Sequence, residues 1–159
     1  MRPFTVDDVE LMQQLDADPE VVRYLGDGLV RSPDKSRANL QKILNDYREH
    51  GLGLFAVYDK QNEFVGRSGL IPWVFDNVLT WEIGYSFKQE AWGKGYATEV
   101  ARALANWARE HLDVPHVISL IHPQNAASIH VARKTGMEFW KTTKIQNLEL
   151  SVFRLLIRD

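Results

Sequence analysis

The 159-residue chain is 45% hydrophobic and 25% charged, with 19 Lys and Arg against 21 Asp and Glu for a formal charge of −2. Its length reads as a single domain over residues 1–159, large enough to bury about 70% of the surface its unfolded chain would expose. The near-neutral balance argues against a nucleic-acid partner. A cysteine count of zero excludes disulfides, cysteine-based zinc sites, iron–sulfur clusters and cysteine nucleophiles.

The longest uninterrupted apolar run, Leu54 to Tyr58, is far short of a bilayer span. Met1-Arg2-Pro3-Phe4 runs quickly into Asp7 and Asp8, which leaves no signal-peptide core. The expectation is a cytoplasmic protein with no membrane partner, either monomer or homodimer.

A short opening strand precedes a helical N-terminal third. Thr5 and Asp8 resemble a capping arrangement, and Val9, Leu11, Met12 and Leu15 form an apolar stripe. Asp18-Pro19 starts a short helix that Gly26 can end. Ser32-Pro33 starts another, carrying Leu40, Ile43, Leu44 and Tyr47, with Gly51 as its stop.

Leu54–Tyr58 and Phe64–Ile71 then read as strands around the polar turn Asp59-Lys60-Gln61-Asn62. Asp76-Asn77 predicts a second turn, before a strand over Leu79–Phe87. A helix over Thr98–Leu112 carries Ala101, Leu104, Ala105 and Ala108 at helical spacing, and a strand over Val117–Ile121 follows. Asn125 caps a helix to about Thr135, ended by Gly136. A last hairpin runs over Met137–Thr143 and Leu148–Ile157, turning at Gln146-Asn147. The predicted class is α+β (mixed α/β): a mostly antiparallel central sheet with helices on both faces. It contains one parallel strand–helix–strand crossover, from Leu79 to Ile121.

The most informative segment is Trp92-Gly93-Lys94-Gly95-Tyr96-Ala97-Thr98-Glu99, between a strand and a helix. Two glycines let backbone N–H groups turn toward a ligand, and a helix N-terminus adds unpaired donors and a positive dipole end. Together they suit an anion, most naturally phosphate. The dinucleotide pattern fails because Thr98 stands where it needs glycine. The Walker pattern fails because Gly95 stands where it needs Ser or Thr. An ordinary glycine loop entering a helix remains the alternative on the glycines alone.

With its flank Glu82-Ile83-Gly84-Tyr85-Ser86-Phe87, this stretch resembles motif A of the GNAT acyltransferases, most closely the Rim-type branch that includes ribosomal-protein N-terminal acetyltransferases. In the superfamily pattern Arg/Gln-x-x-Gly-x-Gly/Ala, Trp92 takes the first position, Gly95 the glycine and Ala97 the last. Asn125-Ala126-Ala127-Ser128, followed by Lys134, Gly136 and Met137, resembles the second CoA-binding segment. The resemblance implies a GNAT-like acyl-CoA N-acyltransferase fold, with acetyl-CoA as cosubstrate and a primary amine as acceptor, either a peptide N-terminus or a small molecule. It implies that Gly93, Lys94, Gly95, Tyr96, Ala97 and Thr98, with Trp92, hold the pyrophosphate. It gives Asn125 to the pantetheine amides, Lys134 to local charge for phosphates, and a backbone N–H near Phe87 to the thioester carbonyl.

Many relatives carry a tyrosine acid seven residues after this Asn; here that position is Ala132. Ser128, one helical turn earlier on the same face, is the implied partner of the departing thiolate. Glu82 is the candidate general base. Asn125 as a plain N-cap, Ser128 as a solvated serine and Glu82 as a surface carboxylate are the alternatives. Without cysteine there is no acyl-cysteine route, so the amine is expected to attack the thioester directly. The five histidines show no H-E-x-x-H spacing, so no metal is expected. Tyr24, Phe55, Trp73, Phe75 and Trp81 are candidates for the acceptor pocket. A non-catalytic acyl-CoA-binding or regulatory module is the competing reading.

Overall fold

A computed structural model of the protein describes residues 1–75 and 78–158, Phe75 through its backbone alone. Among these residues, seven strands form one sheet in the order β1-β2-β3-β4-β5-β7-β6. They are β1 (Arg2–Pro3), β2 (Leu54–Tyr58), β3 (Phe64–Phe75), β4 (Val78–Phe87), β5 (His116–Ile121), β6 (Glu138–Ile145) and β7 (Leu148–Leu156). The helices are α1 (Val9–Asp16), α2 (Pro19–Val22), α3 (Pro33–His50), α4 (Tyr96–His111) and α5 (Ala126–Lys134). Neighbouring strands are antiparallel except β4 and β5, which α4 joins as the expected crossover.

Local chemistry sets most boundaries. Asp18 caps α2 and Ser32 caps α3, each with proline in the first turn, and Gly51 ends α3 in the left-handed conformation. At α1 only half of the expected capping arrangement forms. The Thr5 N–H and hydroxyl both donate to the Asp8 carboxylate, at 2.7 and 3.0 Å, so Thr5 gives rather than accepts.

β3 outruns its expected end at Ile71 and passes through Pro72 to Phe75. The ladder explains why. Lys88 N–H donates to the Val65 carbonyl at 2.9 Å, and alternation from there leaves Pro72 and Trp81 as a non-hydrogen-bonded pair. The missing N–H of Pro72 faces the side where β2 has already ended, at Leu54 opposite Gly69, so no sheet bond is lost. The predicted Asp76-Asn77 turn lies outside the described residues.

The sheet is covered on both faces. On one, Met12, Leu15, Val21, Leu40 and Ile43 of α1–α3 pack with Ala56 and Phe64. On the other, the alanine stripe of α4, with Leu104 and with Ala132 of α5, packs on Leu70, Trp81, Ile83, Val117 and Phe153. Strand alternation therefore gives Arg67, Glu82 and Ser86 to the α1–α3 face, and Leu70, Ile83 and Phe87 to the α4 face.

Candidate active site

β4 and β5 pair only at Trp81–Val117 and Glu82–Ile118. In an uninterrupted parallel ladder the Leu120 N–H would reach the Ile83 carbonyl. Instead Ser119 Oγ donates to that carbonyl at 2.8 Å, and Leu120 N–H turns to Glu82 Oε1 at 3.3 Å. Glu82 thus stands where the two strands part. Beyond it, alternation directs the amides of Tyr85 and Phe87 away from β3 and into the gap.

Glu82 is 9% exposed. Its Oε2 accepts from Trp73 Nε1 at 2.5 Å. Burial pushes its carboxyl up to about 7, against the opposing pull of the Trp73 and Leu120 donors and of more distant Lys42. A carboxylate that changes charge near neutrality is suited to proton transfer. Trp73→Phe removes one donor to the carboxylate. It is expected to move the acidic limb of kcat/KM upward and lower turnover at pH 7, as a pH–rate profile would register.

Glu82, Asn125 and Ser128 line one cavity of about 330 Å³. Its walls come from the loop after α2 (Tyr24, Leu25), from β3 and β4 (Arg67, Ile71, Trp73, Ser86), and from the last hairpin (Ile145, Leu148, Leu150). Tyr24 packs 5.2 Å from His122, which brings the N-terminal helical region against the end of β5. Of the aromatic acceptor candidates, Tyr24 and Trp73 line this cavity. Trp81 is a correction: it faces α4 as part of the core, because strand alternation turns it away from Glu82. Phe55 is also absent from the lining and packs on Tyr47. The side chain of Phe75 lies outside the described residues.

Asn125 is the N-cap of α5, its Oδ1 accepting from Ser128 N–H at 3.1 Å. The cap leaves its Nδ2 as the group for a ligand. Tyr85 Oη donates to the Ser128 carbonyl at 3.3 Å and ties β4 to the first turn of α5. Burial pushes the Tyr85 phenol up to about 12, so it remains a neutral donor.

The glycine loop is a second feature, outside that cavity. Gly93 and Gly95 have φ of 72° and 87°, in the left-handed region. No side chain caps α4, so the N–H groups of its first turn, at Tyr96, Ala97 and Thr98, are available as anion donors. Trp92 to Gly95 are exposed, and a Cβ added at either glycine meets no atom within 4 Å. This open, donor-rich cradle fits a pyrophosphate.

Trp92 does not aim its donor there. Its Nε1 donates to the Phe87 carbonyl at 2.8 Å and pegs the loop to the end of β4. Phe87 itself is buried and stacks on Tyr96 at 6.2 Å. Lys94 and Lys134 are exposed, and the Lys134 carbonyl accepts from Arg102, which joins α5 to α4. Gly95→Ala would place a Cβ in open space but on a left-handed backbone, at about 1–2 kcal/mol. The free loop can relax to relieve that strain and coenzyme A must restore it, so the expected result is roughly tenfold weaker coenzyme A binding by calorimetry.

Sequence reasoning missed Arg67 and Ser86 as cavity residues, and also His122 and the hairpin residues Ile145 and Leu148. The alternation in Leu148 and Leu150 signals a buried face but not which cavity it closes.

Comparison with known proteins gives the family and the fold. The family model described as the acetyltransferase (GNAT) domain matches residues 1–138. The uncharacterized protein YkkB of Bacillus subtilis (strain 168) is 36% identical over 150 residues, covering 92% of this chain and 85% of that protein. An acetyltransferase structure from Agrobacterium tumefaciens str. C58 aligns with a TM-score of 0.80 at 25% identity, covering 97% of this chain and 88% of the other. The RimL ribosomal L7/L12 alpha-N-protein acetyltransferase, solved in complex with coenzyme A, aligns with a TM-score of 0.79 at 16% identity, over 98% and 92% of the two chains. Among the described residues no group of side chains could hold a metal ion, and no helix is long and apolar enough to cross a membrane. The chain belongs to the GNAT family of N-acetyltransferases.

Proposed function

We propose that residues 1–159 form one acetyltransferase domain that transfers an acetyl group directly from acetyl-CoA to a primary amine. The observation that carries this reading is Glu82, buried at the parting of β4 and β5, on the wall of a cavity that also holds Asn125 and Ser128. Acetyl-CoA supplies the activated acetyl thioester. Gly93, Gly95 and the first-turn amides of α4 hold its pyrophosphate, with Lys94 and Lys134 adding positive charge. Trp92 acts through its peg to Phe87. Asn125 Nδ2 meets the pantetheine. The likeness of Trp92 and Ser128 to the Rim-type branch supports placing the protein near it.

The acceptor enters from the α1–α3 face. Glu82 takes the ammonium proton, directly or through water, leaving a neutral nucleophile. A gap-facing amide of β4, at Tyr85 or Phe87, steadies the thioester oxygen as negative charge builds on it. Ser128 gives a proton or hydrogen bond to the departing sulfur. No acyl-cysteine forms on the way, since the protein has no cysteine.

Thiol release from acetyl-CoA across an amine panel tests the reading, and the protein adds no thiol background. Coenzyme A binding without amine-dependent release would instead support a non-catalytic acyl-CoA-binding module. Ser128→Ala is expected to lower kcat about tenfold or more while coenzyme A affinity stays unchanged. Unaltered single-turnover rates would remove Ser128 from the chemistry.

A further inference from the structure

Arg67 and Ser86 lie directly opposite each other on β3 and β4. Strand alternation puts both on the face that carries Glu82, and both line the same cavity. Arg67 is 8% exposed. Its Nη2 donates to Asp16 Oδ1 at 3.1 Å, and its Nη1 reaches only the weak acceptor Met12 Sδ at 3.5 Å. The same Asp16 oxygen also takes Arg31 at 3.4 Å. Two guanidinium groups therefore share one carboxylate, and this corner of the cavity keeps a surplus positive charge. Next to it, Ser86 Oγ is buried without a hydrogen-bond partner. Rotation about one side-chain bond turns that hydroxyl between the sheet and the cavity.

A surplus cation beside an unsatisfied hydroxyl is a donor set for an anion, and a carboxylate accepts from both together. Among the described residues that line the cavity, Glu82 is the only acidic side chain, and the remaining wall is mostly aliphatic and aromatic. A polyamine or other polycation would find one carboxylate and a repelling arginine. We infer that the acceptor is a primary amine that also carries a carboxylate, on a compact apolar body. The amine points to Glu82 and the carboxylate to Arg67 and Ser86.

Ser86 and Glu82 are four residues apart on β4, about 13 Å along the strand. Both side chains stand roughly perpendicular to the sheet, and Glu82 is held by Trp73 on the side away from Ser86, so an ω-amino acid spans the two groups better than an α-amino acid. This assignment rests on the proposed amine acetylation and narrows its substrate.

The test uses matched pairs in the thiol-release assay: leucine against leucinamide, and 6-aminohexanoate against its amide, with spermidine as the polycation. At pH 7 leucinamide is the less basic amine and has the larger neutral fraction, so a preference for leucine runs against intrinsic reactivity. In at least one pair the acid is expected to exceed the amide about tenfold in kcat/KM, with spermidine poorest. Ser86→Ala removes a hydroxyl that has no partner, so it should fold normally and cut the acid-to-amide ratio threefold or more. Asp16→Asn/Arg67→Met removes the guanidinium that lines the cavity together with its carboxylate, leaves Arg31 outside the lining, and should lower the acid-to-amide ratio at least as much as Ser86→Ala. Calorimetric titration of the preferred acid should show the same losses in affinity.

Ratios at or below one in both pairs, a preference for spermidine, or ratios unchanged in Ser86→Ala and in the double variant would overturn the assignment and leave amine acetylation standing. Coenzyme A binding with no thiol release from any amine would overturn the acetylation reading itself.

Discussion

Glu82→Gln is expected to lower kcat/KM by about 10²–10⁴, the usual worth of a positioned proton acceptor, and to erase an acidic limb near pH 7. The carboxylate must be ionised to accept a proton, so wild-type activity should climb as pH passes through about 7. Gln keeps the shape but does not titrate. Only the rise belonging to the more basic acceptor amine should survive in the variant. The measurement is kcat/KM from pH 5.5 to 9 for both proteins. Coincident profiles would show that water or bulk buffer takes the proton and that Glu82 is a structural wedge.

The same substitution should change how stability depends on pH. Burial raises the Glu82 carboxyl from 4.5 to about 7. Below pH 4.5 both folded and unfolded chains hold the proton, and Glu82 imposes no ionisation penalty. Between 4.5 and 7 the unfolded chain releases it first, so wild-type stability falls as pH rises. Above 7 the loss is complete, and the shift of 2.5 corresponds to about 3 kcal/mol as an upper bound. Both carboxylate oxygens accept from N–H donors, so the Gln amide turns its NH2 toward one of them, at about 1–3 kcal/mol. Glu82→Gln should therefore lie below wild type at pH 4.5 and gain on it as pH rises to 8 in urea denaturation. A stability difference that moves toward the variant between pH 4.5 and 7 would show that the fold bears the cost of ionising a buried Glu82, and the pH–rate profile shows whether the chemistry uses that charge.

The second large effect lies at Asp16, which is 0% exposed. Its carboxylate accepts from Arg67, from Arg31 and from Ser36 Oγ at 2.8 Å, and it fastens the end of α1 to β3 and to the start of α3. Burial pushes the Arg67 guanidinium down against the pull of Asp16, which shows how much that cation depends on its partner. Asp16→Ala leaves Arg67 buried without its carboxylate and is expected to cost about 3–5 kcal/mol. Equilibrium urea denaturation at pH 7 checks it. The double variant Asp16→Asn/Arg67→Met should recover the part of the loss that comes from the unpaired Arg67, while Arg31, 18% exposed and also deprived of Asp16, keeps the rest.

What could be read along the chain was whatever local chemistry decides. Ser32-Pro33 and Gly51 bound α3 because capping and left-handed turns are properties of a few adjacent residues. The stripe of Ala101, Leu104, Ala105 and Ala108 foretold the buried face of α4. Gly93, Gly95 and the helix after them pointed to a turn with left-handed glycines and an uncapped first turn, since these are properties of consecutive backbone amides.

The tertiary structure decided what depends on strand register and on segments far apart in sequence. Pro72 looks like a strand end until the neighbouring strand is known to have stopped first. Trp81 and Glu82 are adjacent, yet only the pairing of β4 with β5 shows which one faces the cavity. Trp92 reads as part of a phosphate motif, and only the folded loop shows its indole pegged to Phe87. Asp16, Arg67 and Ser86 carry no mutual signal along the chain. Their proximity comes from one helix packed across two strands, because burial and charge pairing are properties of neighbours in space.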